Sequence, residues 1–191
     1  MNPTGPFPLE VWARRVTAIA LSFLFVASAV NAAPPAAGDQ ASNFTLRTLD
    51  DKPIELKSLT DAGPVVLVVL RGWPEYQCPV CTRQVQEYIA NAAQFARKGA
   101  RVLMVYPGPA AQLKPHAQEF LQDKQWPAEF IFVTDPDYAF TLAYGLRWEA
   151  KKETAYPSTF ILDRGGKVRF AHVSKSHGDR LGAARALAEL K

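Results

Sequence analysis

Two nearly continuous apolar runs, joined by an amphipathic segment, dominate the middle of the chain. The runs Val65–Leu70 (VVLVVL) and Arg101–Tyr106 (RVLMVY) have the length and the β-branched content of buried strands. Between them, the apolar residues of Thr82–Lys98 are spaced three and four apart, which is typical of one helical face. Because the helix would connect the two strands as a crossover, we expect the strands to be parallel.

Shorter elements are predicted on both sides of this unit. They are hairpin strands at Phe44–Leu49 and Pro53–Leu56, a helix at Ala110–Lys124, a strand at Phe130–Thr134, a short helix at Tyr138–Tyr144, antiparallel strands at Thr159–Leu162 and Lys167–Val173, and a final helix at about Asp179–Leu190. Strands that alternate with helices before a terminal hairpin predict an α/β fold. We expect a mixed central sheet with helices on both faces and an N-terminal β-hairpin extension.

The N-terminal residues 1–32 have the pattern of a signal peptide. Arg14 and Arg15 precede an apolar run at Val16–Val30, and small residues stand where a signal peptidase would cleave after Ala32. The run of about 15 residues is shorter than the roughly 20 that a spanning helix needs. We therefore predict cleavage and export to the periplasm or the exterior. A membrane anchor follows only if the segment stays uncleaved.

Length and charge limit what the remainder can be. After the signal peptide, the sequence predicts a Pro/Ala-rich tether at 33–37 and one domain at 38–191, which is long enough for a good core. The formal net charge of the whole chain is only +4, and the basic residues are scattered. We therefore expect no nucleic-acid partner.

The candidate chemistry lies in Cys78-Pro79-Val80-Cys81, which contains the only two cysteines of the chain. The motif stands where a predicted strand gives way to a predicted helix. Because unpaired N–H groups at a helix start stabilise negative charge, we expect a low pKa for Cys78, the more exposed thiol. A thiolate with a second sulfur one turn away can attack a disulfide and then be released by its neighbour. The motif predicts thiol–disulfide exchange, with the more buried Cys81 resolving the mixed disulfide.

Other uses of a cysteine pair fit the spacing less well. A structural disulfide more naturally joins distant segments, because closing so short a loop removes little entropy from the unfolded chain. A zinc site needs two further ligands, and His116, His172 and His177 do not show ligand spacing. We predict no metal and no organic cofactor. The expected partners are protein thiols or disulfides and an unidentified electron donor.

Five motifs follow one another in a characteristic order. They are Gly38–Leu46, Val65–Leu70, the Cys78–Cys81 motif, Tyr156–Asp163 and Gly165–Val168. In this order they resemble the thioredoxin-fold superfamily, in particular its peroxiredoxin-like members (alkyl hydroperoxide reductase and thiol-specific antioxidant) and the TlpA-like thiol–disulfide oxidoreductases. The resemblance covers roughly Gly38 to Lys191 and implies a thioredoxin-like fold and redox activity.

Within that superfamily, the motif residues distinguish two chemistries. Peroxiredoxins carry a Pro-x-x-x-Thr-x-x-Cys loop, with which Pro74, Cys78 and Cys81 align, so that Cys78 replaces the threonine. This alignment implies an alternative function as an antioxidant, with Cys81 peroxidatic and Cys78 resolving its sulfenic acid. However, Pro157 stands where peroxiredoxins place an arginine before their Thr-Phe strand. Both departures favour disulfide exchange.

Pro157 itself resembles the proline that thioredoxin-like oxidoreductases place opposite their Cys-x-x-Cys motif. That resemblance implies a cis Tyr156–Pro157 bond facing the cysteines, and a backbone that pairs with an extended partner. A trans proline that starts a strand is the structural alternative. Trp73, which precedes the cysteines, is the candidate for a partner-facing wall, and a loop filled by such side chains is the equal alternative.

A third possibility is a redox-inactive or copper-binding module of the same fold. Copper-delivery proteins of this fold place three residues between their cysteines, whereas this chain has two.

Two arginines could take over the role of the missing peroxiredoxin arginine. We expect Arg71 to be solvated or stacked on a phenyl ring rather than paired with a thiolate, and Arg147 is the further candidate. Gln84 stands where many TlpA-like members have a glutamate, so no acid–base carboxylate is evident there.

Overall fold

A seven-stranded mixed sheet forms the centre of the protein. The structure is a computed structural model that describes Met1 and residues 32–190. The strands are β1 (Thr45–Arg47), β2 (Pro53–Glu55), β3 (Val65–Val69), β4 (Arg101–Gly108), β5 (Phe130–Pro136), β6 (Ser158–Leu162) and β7 (Val168–Val173), in the spatial order β2-β1-β5-β4-β3-β6-β7. The helices are α1 (Leu56–Ala62), α2 (Pro79–Ala90), α3 (Ala92–Arg97), α4 (Ala110–Leu121), α5 (Ala139–Ala143) and α6 (Ala183–Glu189). The predicted α/β fold with a mixed sheet is confirmed.

Strand β3 lies inside the sheet, between β4 and β6, and leads to the cysteine motif. It pairs in parallel with β4, from Val65 opposite Arg101, and antiparallel with β6, from Val69 opposite Ser158. All its residues are fully buried because both faces of the sheet are covered, which explains why the strand reads as an unbroken apolar run. The C-terminal end of β3 and the N-terminal end of β6 therefore lie side by side at the same end of the sheet. From there the chain continues to the cysteine motif.

Alternate residues of β3 face two separate parts of the core. Val66 and Val68 pack with apolar residues of α2, α3, α4 and α6, whereas Leu67 and Val69 pack with those of α1 and α5. Helices α2 and α4 follow successive parallel strands in the same direction across the sheet, so right-handed crossovers put them on the same face. The predicted covering of both faces is confirmed.

Several element boundaries differ from the prediction. The helix expected at Thr82–Lys98 begins at Pro79 and is interrupted at Asn91, which has φ −105° and ψ 9° and donates its N–H to the carbonyl of Tyr88, three residues back. Helix α1 was not predicted, although its buried Leu56 and Leu59 stand three residues apart. The sequence analysis interpreted Leu56 as the end of a hairpin strand.

The N-terminal predictions fall largely outside the described part of the structure. Residues 2–31 contain the predicted signal peptide, so its existence and its cleavage stay predictions. Residues 33–36 of the predicted tether have no regular secondary structure. No helix within the described residues is long and apolar enough to cross a membrane.

Leu67→Ala tests the central position of β3. Leu67 is 0% exposed, so its truncation removes apolar contacts on the α1 and α5 side and leaves a cavity. We expect it to lower the free energy of unfolding by about 2–5 kcal/mol. Leu142→Ala is the matched control, since Leu142 is 53% exposed, and it should change stability by less than about 0.5 kcal/mol. Urea unfolding followed by circular dichroism measures both. Equal effects of the two variants would contradict the assignment.

Candidate active site

Cys78 is the residue that caps the N-terminus of α2. Its backbone is extended (φ −78°, ψ 111°), and its Sγ accepts a hydrogen bond from the N–H of Cys81 at 3.4 Å. An extended N-cap residue whose side chain accepts from the first turn satisfies one of the free donors there. Pro79 suits the next position because its missing N–H would have no partner in the helix. The predicted placement of the motif at a helix start is confirmed.

The two sulfurs differ in how far they are covered. Cys78 is 3% exposed and Cys81 is 0% exposed, and both are free thiols. Cys78 is therefore the more exposed of the two thiols, as expected, although it is more covered than an exposed N-cap residue would be. Because Cys81 offers no surface at all, a substrate can reach the pair only through Cys78.

Their proton affinities differ in the same direction. A hydrogen bond with the Cys81 thiol, supported by the Cys81 N–H and the positive charge of Arg180, lowers the pKa of Cys78 to about 5 despite burial. Burial raises the pKa of Cys81 well above its ordinary value, and the neighbouring Cys78 raises it further. At neutral pH, the negative charge thus lies on Cys78 and the proton on Cys81, the arrangement that a nucleophile and a resolving thiol require.

Arg180 supplies the nearest positive charge to Cys78. Its Nη2 lies 3.9 Å from the Cys78 Sγ, its Nε donates to the carbonyl of His177 at 2.8 Å, and its Nη1 lies 3.5 Å from Oε1 of Gln84. The residue comes from the loop between β7 and α6. Arg180 was not predicted, because it follows Cys78 by 102 positions and belongs to no recognised motif.

Gln84 holds the Arg180 side chain through its neutral amide. It is 5% exposed, and its Nε2 donates to the carbonyl of Leu181 at 3.3 Å while its Oε1 faces Arg180. A neutral amide can hold the guanidinium without neutralising it, whereas a glutamate here would form an ion pair with it. Gln84 therefore leaves the charge of Arg180 available to the Cys78 sulfur.

Arg71, the second arginine near the motif, is paired with a carboxylate. It is 2% exposed, its Nε donates to Oε2 of Glu153 at 2.6 Å, and its guanidinium lies 4.9 Å from the ring centre of Tyr76. The expected phenyl stacking is confirmed, but the alternative of a solvated side chain is wrong. Glu153 also accepts from His177 at 2.9 Å, and these bonds lower the pKa of Glu153 although burial alone would raise it.

Pro157 lies at the predicted edge of the sheet but not in the predicted conformation. It is buried directly before β6, beside the end of β3 that leads to the cysteines. The expected cis Tyr156–Pro157 bond is wrong, because no peptide bond within the described residues is cis. Its carbonyl accepts the N–H of Ser174 at 2.9 Å and so is already paired within the protein. A role of Pro157 in binding substrate stays a prediction.

Trp73 packs against the protein, as the alternative of a filled loop implies. Its ring stacks on His116 with 3.4 Å between ring centres, and its backbone N–H donates to the carbonyl of Pro107 at 2.9 Å. The approach is so close that a Cβ on the preceding Gly72, which has φ +74°, would lie 1.9 Å from that carbonyl oxygen. Trp73 is half-buried against the core, and its contact with a substrate stays a prediction.

Arg147, named above as a possible substitute for the missing arginine, is used elsewhere. Its Nη1 donates to the carbonyls of Trp148, Glu153 and Thr154, and its guanidinium lies 4.1 Å from the ring centre of Tyr138. It thus holds the loop around residues 147–154, and among residues 32–190 its hydrogen bonds and ion pair involve neither sulfur.

The described residues contain no cluster of three or more His, Cys, Asp or Glu side chains that could hold a metal ion. The three histidines each have a different carboxylate within reach, namely Glu119, Asp179 and Glu153 for His116, His172 and His177. A groove of about 880 Å³ lies beside β1, β2 and β5, and neither cysteine lines it.

A mixed sheet with helices on both faces, and a Cys-x-x-Cys pair at the start of the helix after a central strand, define a thioredoxin-fold redox protein. Residues 37–171 match the AhpC/TSA family, and the chain belongs to that family. The predicted resemblance is confirmed, and the protein is an oxidoreductase of this class.

Individual relatives fall into both branches of the class. A Mycobacterium tuberculosis protein provisionally named a peroxiredoxin is 28% identical over 155 residues, which are 74% of this chain and 92% of that protein. The crystal structure of peroxidoxin BcpB from M. tuberculosis matches with a TM-score of 0.62 at 25% identity, over 81% of this chain and 96% of its own. A Chlorobium tepidum protein provisionally titled thiol:disulfide interchange protein DsbE matches with a TM-score of 0.58 at 26% identity, over 81% and 98%.

The pH dependence of alkylation tests the electrostatics of Cys78. Iodoacetamide reacts with thiolates, so its rate with the reduced protein should rise through a midpoint near pH 5 and stay level above it, while Cys81 remains unreactive. Arg180→Gln should move the midpoint to higher pH, because it removes a positive charge 3.9 Å from the sulfur. Arg101→Gln, at the opposite end of the sheet, is the charge-matched control. An unchanged midpoint in Arg180→Gln would contradict the role of Arg180.

Proposed function

We propose that the protein is an exported thiol–disulfide oxidoreductase that works through Cys78 and Cys81. The observation that carries the proposal is the difference between the two thiols. Cys78 has a pKa lowered to about 5 and lies beside Arg180, whereas Cys81 is fully buried with a raised pKa. A low-pKa nucleophile and a protonated neighbour within one helical turn suit disulfide exchange.

The exchange proceeds in two steps. The Cys78 thiolate attacks one sulfur of a partner disulfide, forms a mixed disulfide and releases the other sulfur as a thiolate, which takes a proton from the solvent. Cys81 then loses its proton and attacks the Cys78 Sγ, which forms the Cys78–Cys81 disulfide and releases the second partner thiol. The partner gains two electrons, and the dithiol loses two. A dithiol donor restores the reduced protein, and reversing both steps would oxidise a partner.

Export is the part of the proposal that rests on the sequence alone. The pair Arg14 and Arg15, the apolar run Val16–Val30 and the small residues before Ala33 support a cleaved signal peptide. In the periplasm or outside the cell, the dithiol would meet proteins that carry disulfides, which are the expected partners.

Single cysteine variants test the order of the two thiols. Cys78→Ser should abolish the reduction of insulin, whereas Cys81→Ser should accumulate mixed disulfides, because no second thiol can release the partner. With its own N-terminal segment present, Cys81→Ser should yield these adducts in the exported fraction, on a chain that begins at Ala33. Non-reducing electrophoresis and mass spectrometry measure the adducts. Trapping by Cys78→Ser instead of Cys81→Ser would show that the roles are reversed.

A second function is favoured by the relatives named as peroxiredoxins. In it, the Cys81 thiolate would attack a peroxide oxygen and become a sulfenic acid, water or alcohol would leave, and Cys78 would then form the disulfide. The complete burial and the raised pKa of Cys81 oppose this function. Pro157 in place of the expected arginine, and Cys78 in place of the expected threonine, remove donors that would stabilise charge on the peroxide.

Competing substrates decide between these two functions. We expect hydrogen peroxide to oxidise the reduced protein little faster than it oxidises a free thiolate, because each lost donor of this kind costs on the order of 10²–10³ in rate. Bis(2-hydroxyethyl) disulfide should react readily. Stopped-flow tryptophan fluorescence follows both reactions, since Trp73 packs in the same apolar cluster as the cysteines. A peroxide rate orders of magnitude above that of a free thiolate would favour the peroxidase.

A further inference from the structure

A second groove, of about 310 Å³, includes in its lining Arg180, the nearest positive charge to the candidate nucleophile. The first two turns of α2 and the loop that precedes α6 form its walls, with Arg83 and Gln84 on one side and Arg180 on the other. Neither cysteine lines the groove, but Arg180 does, and its Nη2 lies 3.9 Å from the Cys78 Sγ, so this side chain connects the groove with the sulfur. We call it the Arg83–Arg180 groove.

The two arginines of this groove carry charge that no carboxylate balances. Arg83 is exposed and forms no ion pair with any residue from 32 to 190. The hydrogen-bond partners of Arg180 are the carbonyl of His177, the Gln84 amide and the Cys78 sulfur. Arg71, on the other side of the motif, differs because Glu153 pairs with it. Both arginines lower the pKa of Cys78, Arg180 more than Arg71, but only the charge of Arg180 has no paired carboxylate.

One carboxylate lines the Arg83–Arg180 groove, and it is engaged elsewhere. Oε1 of Glu87 accepts the backbone N–H of Ala183 at 2.7 Å and so caps the start of α6. Within the described residues it forms no ion pair with either arginine. With two guanidinium groups and one carboxylate, the formal charge of the groove lining is +1, and guanidinium is well suited to binding carboxylates.

The size of the opening suits a small disulfide, which would be a substrate in addition to the protein partners. A volume of about 310 Å³ lies at the lower end of the range for small-molecule sites. Cys78 is only 3% exposed, and the backbone beside it is already paired, with the Tyr156 N–H donating to Leu146 at 2.8 Å and the Pro157 carbonyl accepting from Ser174 at 2.9 Å. A small disulfide needs neither of these backbone groups.

We infer that the Arg83–Arg180 groove binds the carboxylate of a small anionic disulfide and presents its sulfur–sulfur bond to Cys78. The inference rests on the proposed disulfide exchange and adds the substrate class. Cys78 forms the mixed disulfide with one half of the substrate, the other half leaves as a thiol, and Cys81 then releases the bound half. The substrate is reduced by two electrons to two thiols while the protein dithiol is oxidised to a disulfide.

Three small disulfides that differ in charge test this inference. The fully reduced full-length protein is mixed with 3,3′-dithiodipropionate, bis(2-hydroxyethyl) disulfide or cystamine, which are anionic, neutral and cationic. Each rate is divided by the rate of the same disulfide with 2-mercaptoethanol thiolate, which removes differences in intrinsic reactivity. We expect the corrected rate of the anion to exceed that of the cation by at least about tenfold, since one unit charge about 4 Å from another in water is worth about fivefold.

Variants then locate the source of the preference. Arg83→Gln should lower the corrected anion-to-cation ratio by about fivefold, and 1 M potassium chloride should lower the ratio of the unmodified protein similarly. Arg101→Gln changes the net charge equally at the far end of the sheet and should leave the ratio unchanged. Iodoacetamide, a neutral reagent, reports in each variant whether the nucleophile itself has changed.

The outcomes separate the inference from the proposed function. Equal corrected rates for the three disulfides would overturn the inference and leave disulfide exchange standing. A preference that Arg83→Gln does not reduce would overturn the assignment to this groove. Failure of all three disulfides to react, with Cys78 reduced and still reactive toward iodoacetamide, would overturn the proposed function and the inference together.

Discussion

The chemistry of this protein depends on where α2 begins. Because Cys78 is the N-cap residue, its sulfur accepts the N–H of Cys81 while Cys81 lies one turn further into the helix, packed against the sheet. A helix start stabilises charge on the first sulfur, and burial opposes charge on the second. Two chemically identical side chains thereby become a nucleophile and a proton-bearing partner.

The two arginines near the motif show how surroundings set the effect of a charge. Arg71 is buried, and Glu153 compensates it, as a buried cation requires. Arg180 is held by an amide and a carbonyl, so its charge acts on Cys78 and on the groove beside it. Distance along the sequence would have predicted a larger effect of Arg71 on Cys78, since Arg71 is seven positions away and Arg180 is 102.

Strands and the cysteine helix were predictable because their patterns are local. The unbroken apolar run of β3 reflects a strand buried on both faces, and the three-and-four spacing of α2 reflects one buried helical face. Helix α1 was missed because seven residues with two buried leucines give too short a pattern beside a hairpin. The start of α6 was placed too early because its N-terminus depends on Glu87, a residue of another helix.

From the sequence alone follow the α/β class, the Cys-x-x-Cys pair at a helix start and the expected order of the two thiols, since each depends on residues close together in the chain. The tertiary structure decided which arginine faces Cys78, that Arg71 is paired with a carboxylate, and that Tyr156–Pro157 is trans with its carbonyl already paired. The physical reason is that charge compensation and backbone pairing are set by neighbours in space. Here those neighbours are 82 to 102 positions away for the two arginines, and no local pattern encodes them.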